Sequence, residues 1–260
     1  MCQVLSLDVG NSRLKVALLQ GEHTRFQMEA ETKQLKSLKA RQAFVESLVS
    51  ELKARSLQIE KIVFVAVVPE LAKRIANALE RRFKKHALFV SAELNLPFES
   101  RYKTPSTLGA DRLALIAYAV KRFPKSATIA MDFGTAITYD VITSKRVYLG
   151  GMILSGAGLS LLALHQHTAQ LPKVQFSLQT SLIGESTVEC LKCGAYWGTV
   201  AQTENLIARL KSYLKTHYGE RRINTLATGG DALLIAEQIK FDDVSNDAVL
   251  KGAAYLAELN

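Results

Sequence analysis

Cysteine is scarce in this chain: Cys2, Cys190 and Cys193 are the only three among 260 residues. So few, and an odd number, argue against the disulfide framework that staples small secreted domains. A chain of this length buries roughly three-quarters of its unfolded surface, so the core needs no such staple. Proline and glycine are also modest, at 5 and 15 residues, and no Pro/Gly/Ser-rich linker or low-complexity segment divides the chain. No run approaches the ~20 apolar residues of a membrane span. The opening residues, MCQVLSLDVGNS, lack a basic n-region and a small-residue cleavage site, so no secretory signal is expected. The expectation is a cytoplasmic protein with no membrane partner.

Acidic charge is in deficit, with 24 Asp and Glu against 33 Lys and Arg, a net charge of +9. The excess is uneven. Residues 1–113 carry 19 basic and 12 acidic side chains, and the remainder carries 14 and 12. Lys73, Arg74, Arg81, Arg82, Lys84 and Lys85 gather along one expected helix, the pattern of a solvated helix face. No RNP-like aromatic motif, zinc finger or recognition helix accompanies them, so nucleic acid is not expected as a partner.

What is present is an alternation of two periods. Short apolar runs at residues 4–7, 62–68, 127–131 and 224–227 read as buried strands. Helical spacing covers residues 44–52, 71–83, 113–120, 201–214 and 248–256. Strands alternating with amphipathic helices indicate an α/β fold. One internal similarity organises it. Leu5-Ser-Leu-Asp8-Val-Gly10-Asn-Ser12 runs into residues 13–19, and Ile129-Ala-Met-Asp132-Phe-Gly134-Thr-Ala136 runs into residues 137–142. In each, an aspartate ends a hydrophobic strand and a glycine follows two residues later, as expected of a duplicated unit that opens on a hairpin. This duplication resembles the actin-like sugar kinases and heat-shock ATPases. It implies duplicated actin-like (ribonuclease H-like) ATPase domains with a nucleotide cleft between them, at residues 1–113 and 114–260.

Three segments can do chemistry. In Asp8-Val-Gly10-Asn11-Ser12-Arg13-Leu14-Lys15, Gly10 lets the backbone approach an anion, and successive N–H groups with Asn11 and Ser12 can cradle phosphate oxygens. Lys15 adds a point charge. A carboxylate beside phosphates needs an intervening cation, so Asp8 reads as a Mg²⁺ ligand, through water. Alone, an Asp-x-Gly turn is as readily an ordinary hairpin; its recurrence at Asp132-Phe-Gly134-Thr135, with Thr138 beyond, favours the phosphate reading. The third segment, Gly109-Ala110-Asp111-Arg112, opens a helix. There a carboxylate can accept the proton of a substrate hydroxyl and a guanidinium can clamp a substrate carboxylate.

In this order the three segments resemble the signatures of the type III pantothenate kinase family, whose members include the Bvg accessory factors. Gly150-Gly151-x-Ile153, Ser186-Thr187 with Gly194 beyond, and Thr228-Gly229-Gly230-Asp231 extend the resemblance over essentially the whole chain. The resemblance implies ATP-dependent phosphorylation of pantothenate, the first step of coenzyme A synthesis. It makes Asp111 the catalytic base and places pantothenate against Tyr102, Gly109, Ala110, Asp111, Arg112 and Thr187. ATP would lie against Asp8, Val9, Gly10, Asn11, Ser12, Arg13, Leu14, Lys15 and Thr135. Asp132 would hold a monovalent cation, K⁺ or NH₄⁺. The resemblance also implies a homodimer whose substrate pocket is completed by the partner subunit. The alternatives are another small-molecule kinase of the actin-like superfamily, or a non-catalytic nucleotide- or DNA-binding accessory factor.

Ser155 stands where the family loop has proline, so a looser loop is expected there. Cys190-Leu-Lys-Cys193 lacks the second pair of a zinc site and reads as helix packing. His165 and His167 have no ligating company in sequence, and Trp197 reads as core or dimer surface.

Overall fold

In the computed structural model, which describes residues 2–260, the first strand is buried without interruption from Val4 to Leu7. Unbroken burial marks a central strand covered on both faces. The chain begins with β1 (Gln3–Val9), β2 (Arg13–Gln20), β3 (His23–Glu31), α1 (Leu38–Ala54), β4 (Lys61–Ala66) and α2 (Pro69–Phe83). It continues through β5 (Ala87–Phe89), the two-residue β6 (Glu99–Ser100) and α3 (Ala110–Arg122). A sheet of order β3-β2-β1-β4-β5 forms, with β1 antiparallel to β2 and parallel to β4. Leu5, Leu7 and Val9 point to one face, where they join Leu48 and Leu52 of α1 and Ile75 and Leu79 of α2 in one apolar core.

A second compact unit follows: β7 (Ala127–Phe133), β8 (Ala136–Ile142), β9 (Val147–Ser155), α4 (Ala157–His167), α5 (Thr187–Tyr218), β10 (Ile223–Thr228), α6 (Ala232–Ala236) and β11 (Asp243–Val244). Its strand order, β11-β10-β7-β8-β9, repeats that of the first sheet. β7 is antiparallel to β8 and parallel to β10, as β1 is to β2 and β4. Its core gathers Ile129, Met131, Tyr139, Tyr196, Val200, Ile207 and Ile235.

The last helix, α7 (Ala248–Leu259), returns to the first unit. It covers the face of β1 opposite α1 and α2: the buried Ser6 hydroxyl donates to the Leu250 carbonyl at 2.9 Å, and Lys61 Nζ donates to that of Ala257 at 2.6 Å. Gly252 lies so close to α3 that a Cβ there would overlap the Ala114 carbonyl. At the start of α7, the Asp247 carboxylate accepts from Thr24 Oγ1 at 2.9 Å and pairs with Lys251 at 2.8 Å.

The compact units differ from the expected division at 113/114 in two respects. One unit runs to Arg122 and takes back Asp247–Asn260; the other is Phe123–Asn246. The first difference arises because α3 is one unbroken helix up to Arg122 and belongs to the sheet it packs on. The second arises because α7 supplies the cover that the first sheet lacks on one face. Among the described residues no helix is long and apolar enough to cross a membrane.

Candidate active site

The first hairpin sets Asp8 directly opposite Lys15 across the β1–β2 ladder. The turn closes where Gly10 N–H donates to the Arg13 carbonyl at 3.0 Å. A Cβ at Gly10 would stand 3.1 Å from that oxygen, so glycine suits the position. Nothing in the local sequence marks the brace on this turn. Thr32, buried at the end of β3, donates from Oγ1 to the Gly10 carbonyl at 2.7 Å and from its N–H to the Ser12 carbonyl at 3.0 Å. Within residues 8–15 the side chains divide. Val9 and Leu14 are wholly buried in the core, Arg13 pairs with Glu29 at 2.5 Å, and Asn11 and Ser12 are exposed at the turn. Val9, Arg13 and Leu14 therefore offer a ligand their backbone, whereas Asn11, Ser12 and Lys15 offer side chains as well.

The second hairpin repeats this construction. Asp132 stands opposite Thr138, and Gly134 N–H donates to the Ala136 carbonyl at 3.1 Å. Two further loops seat against its tip. Gly156 donates to the Thr135 carbonyl at 3.0 Å, and any Cβ at Gly156 would overlap the carbonyl of Gly134. Ser155, in the proline position, exchanges a hydrogen bond with Ser160 at 2.9 Å. A hydroxyl bridge thus ties the loop that the missing proline was expected to leave looser. On the other side Gly229, at φ +100°, admits the chain against Asp132 and Phe133, where a Cβ would overlap the Asp132 carboxylate. Asp231 then donates its N–H to the Phe133 carbonyl at 3.0 Å, and burial pushes its carboxyl pKa above the ordinary value. The Thr228-Gly-Gly-Asp231 string marks this loop in the sequence, but its contact with Asp132 exists only in the fold.

The Gly109-Ala-Asp-Arg112 string builds the start of α3. Gly109 accepts the first helical hydrogen bond, from Leu113 N–H at 3.1 Å. Asp111 folds back so that its Oδ1 accepts the Arg112 N–H at 2.9 Å. Oδ2 has no protein donor among the described residues. A Cβ at residue 109 would overlap Asp111 Oδ1, so glycine is needed there to leave the carboxylate in place. Arg112 is buried, with its guanidinium carbon 5.7 Å from the centre of the Tyr102 ring, a cation–π stack. Gly109, Ala110 and Asp111 open onto a cavity of about 820 Å³, walled also by Ala66 and Val67 at the end of β4 and by residues 90–93. That is ample for a small-molecule substrate.

Thr187 lies in the other unit as the exposed first residue of α5, next to the N-cap Ser186, whose Oγ accepts the Glu189 N–H at 3.3 Å. The Cys190/Cys193 pair lies inside the same helix; its thiols donate to the carbonyls of Gly184 and Ser181 at 3.2 and 3.3 Å. Trp197 packs edge-on against Tyr196 and donates to the Ser181 carbonyl at 2.8 Å. Among the described residues no group of three or more His, Cys, Asp or Glu is placed to hold a metal. The donor chemistry instead suits a hard cation that keeps its waters and is shared with phosphates, as Mg²⁺ does with one carboxylate such as Asp8.

Two units that repeat one strand order, each opening on an Asp-x-Gly hairpin, give the chain a duplicated actin-like fold. A Campylobacter jejuni protein described as a Baf family transcriptional activator aligns over 98% of this chain and 97% of its own, with TM-score 0.59 and 19% identity. Component A of (R)-2-hydroxyglutaryl-CoA dehydratase from Acidaminococcus fermentans aligns over 99% and 96%, with TM-score 0.52 and 12% identity. Sequence narrows the class. The family model for type III pantothenate kinase matches residues 4–209. The type III pantothenate kinase of Chlorobium luteolum is 38% identical over 99% of this chain and 94% of its own, and that of Legionella pneumophila strain Corby is 32% identical over 99% of each. The chain belongs to the type III pantothenate kinase family and is a phosphotransferase.

Proposed function

We propose that this chain phosphorylates the 4′-hydroxyl of pantothenate with ATP, opening coenzyme A biosynthesis, with Asp111 as the base. The observation that carries the assignment is the Asp111 carboxylate at the wall of the 820 Å³ cavity, one oxygen fixed by the Arg112 N–H and the other without a protein donor. Asp111 accepts the hydroxyl proton as the alcohol oxygen bonds the γ-phosphorus and the bond to the β–γ bridging oxygen breaks, releasing ADP. Arg112 holds the pantothenate carboxylate, with Tyr102 stacked on the guanidinium to fix its plane. Thr187 contributes a hydroxyl to the same substrate. The turns at Gly10 and Gly134, with Asn11, Ser12, Lys15 and Thr135, cradle the phosphates. Asp8 holds Mg²⁺, which neutralises phosphate charge when bound; Asp132 holds K⁺ or NH₄⁺.

The working species is a homodimer. Supporting this is apolar surface in the second unit: Ile153, Leu182 and Ile183 are 64%, 68% and 75% exposed, area that pairing would take out of water. Two-fold pairing is the commonest closed assembly.

A coupled assay of ADP release, with and without pantothenate, tests the reading. Release should require pantothenate, and Asp111→Asn should lower turnover roughly 10²-fold or more while the variant stays folded. Turnover at the wild-type rate in that variant, or turnover with a sugar or acetate but not with pantothenate, would refute it. Omitting K⁺ and NH₄⁺ should slow the wild type, and Asp132→Ala should abolish that response. Light scattering at assay concentration checks the dimer: a fully active species at the 28.6 kDa chain mass would rule it out.

A further inference from the structure

The basic run on α2 is not one uniform face. Arg74, Asn77, Ala78 and Arg81 recur at helical spacing on α2, and Leu38, Arg41, Gln42 and Val45 do so on α1. That spacing turns each set to one side of its helix. Together they wall a recess of about 330 Å³. A smaller recess of about 200 Å³ shares Arg41 and Arg74 and adds Lys36 and Glu70. Lys73, Arg82, Lys84 and Lys85 line neither.

The charges lining this double recess are out of balance. Lys36, Arg41, Arg74 and Arg81 meet only two carboxylates, Glu46 and Glu70. Among the described residues neither Arg74 nor Arg81 makes a hydrogen bond or an ion pair. Arg41 is only 9% exposed. Its Nη1 donates to the carbonyls of Leu35 and Lys36 at 3.1 and 3.4 Å, which holds the guanidinium still. Nε and Nη2 have no protein acceptor, yet they are not sealed from solvent. A guanidinium so placed has lost most of its water and gained two neutral acceptors, while two more cations stand in the same recess.

We infer that this recess is a binding site for a small oxyanion carrying two or more negative charges. The planar forks of three arginines match paired oxygens of a phosphoryl or carboxylate group, which would supply both the missing acceptors and the missing charge. A volume near the lower end of small-molecule pockets, roughly 300 Å³, fits a compact metabolite. The recess shares no lining residue with the cavity at Asp111, so its occupant is held independently of the transfer reaction.

Calorimetric titration of the full chain with pyrophosphate, and separately with citrate, tests this. Because the phosphate-binding turns of a kinase also take pyrophosphate, the comparison is with Arg74→Ala/Arg81→Ala, and with Arg82→Ala as a neighbouring control. The double variant should lose one class of pyrophosphate sites per chain, or bind there about tenfold or more weakly. Arg82→Ala should titrate as wild type, and all three proteins should keep the same melting temperature and turnover. Binding of pyrophosphate alone marks a phosphoryl ligand, and binding of citrate as well marks any compact polyanion. Identical isotherms for the wild type and the double variant with both probes would overturn the inference.

Discussion

Gly252→Ala tests the packing that supports the proposed base. Gly252 is helical, so alanine gains up to about 1 kcal/mol of helix propensity. The new methyl, however, would stand 2.6 Å from the Ala114 carbonyl carbon and 3.1 Å from Tyr118 N, and closer still to the Ala114 oxygen. Non-bonded carbon contacts settle near 3.5–4.0 Å, so α7 and α3 must part by on the order of 1 Å. Both obstacles are backbone, which no rotamer change can move aside. Overpacking of this kind costs about 1–3 kcal/mol, and the upper half of that range exceeds the propensity gain. The melting temperature should fall by about 2–6 °C. Ala114 is one helical turn from Asp111, so the same displacement moves the carboxylate, and a 1 Å error at a reacting group costs about 10²-fold in rate. Thermal melting and the coupled ADP assay on purified protein read both effects. A variant that melts and turns over as the wild type does would show that α7 does not position α3.

At Gly109 the obstacle to a Cβ is the movable Asp111 carboxylate, so Gly109→Ala should lose about 10²-fold in turnover with little change in melting temperature; a matching loss of stability would point to a structural role alone. Burial raises the Asp231 pKa, so this aspartate's stability contribution is fully present below its unfolded pKa and is lost as pH rises through the raised folded value. Asp231→Asn should therefore melt above the wild type at pH 7–8, the gap shrinking as pH falls through the raised folded value and gone below about 4, whereas a gap independent of pH would contradict the burial argument. Thr32→Val keeps shape but deletes the hydroxyl bonded to Gly10, which should cost about 1 kcal/mol and raise the KM for ATP; an unchanged KM would detach this brace from nucleotide binding.

The strands that carry the site were legible because their physics is local. β1, β4 and β7 are mostly apolar over consecutive positions and β10 is buried over them despite Asn224 and Thr225, and both aspartates sit where an apolar run meets a glycine turn. Helix α2 announces itself by a sharp division of apolar and charged faces. Helix α5 is plainer in its second half: apolar spacing marks residues 201–214 and Cys190–Cys193 read as helix packing, but Gly194 and Gly198 between them face open space and dilute the pattern, so one continuous 32-residue helix is not evident. Helix α4 leaves Leu159 and Leu164 in water and so lacks the usual two-sided signal. Other features rest on distance in sequence. Thr32 reaches a carbonyl 22 residues back, and Gly229 meets Asp132 only because β10 and β7 are neighbours. No local composition could say that α7 belongs with residues made more than a hundred positions earlier.

That last arrangement bears on how the chain is made. Residues up to Arg122 leave the ribosome first, but the sheet they form lacks its cover until Asp247–Asn260 follow. At roughly 5–20 residues per second, translating the intervening stretch takes roughly 6 to 25 s. Throughout that interval the face that will receive α7, with the Ser6 hydroxyl and the α3 surface around Ala114, stays uncovered, while Phe123–Asn246 can complete its own core. The unit synthesised first is finished last, and nascent protein is most exposed to misassociation at the helix that bears the proposed catalytic aspartate.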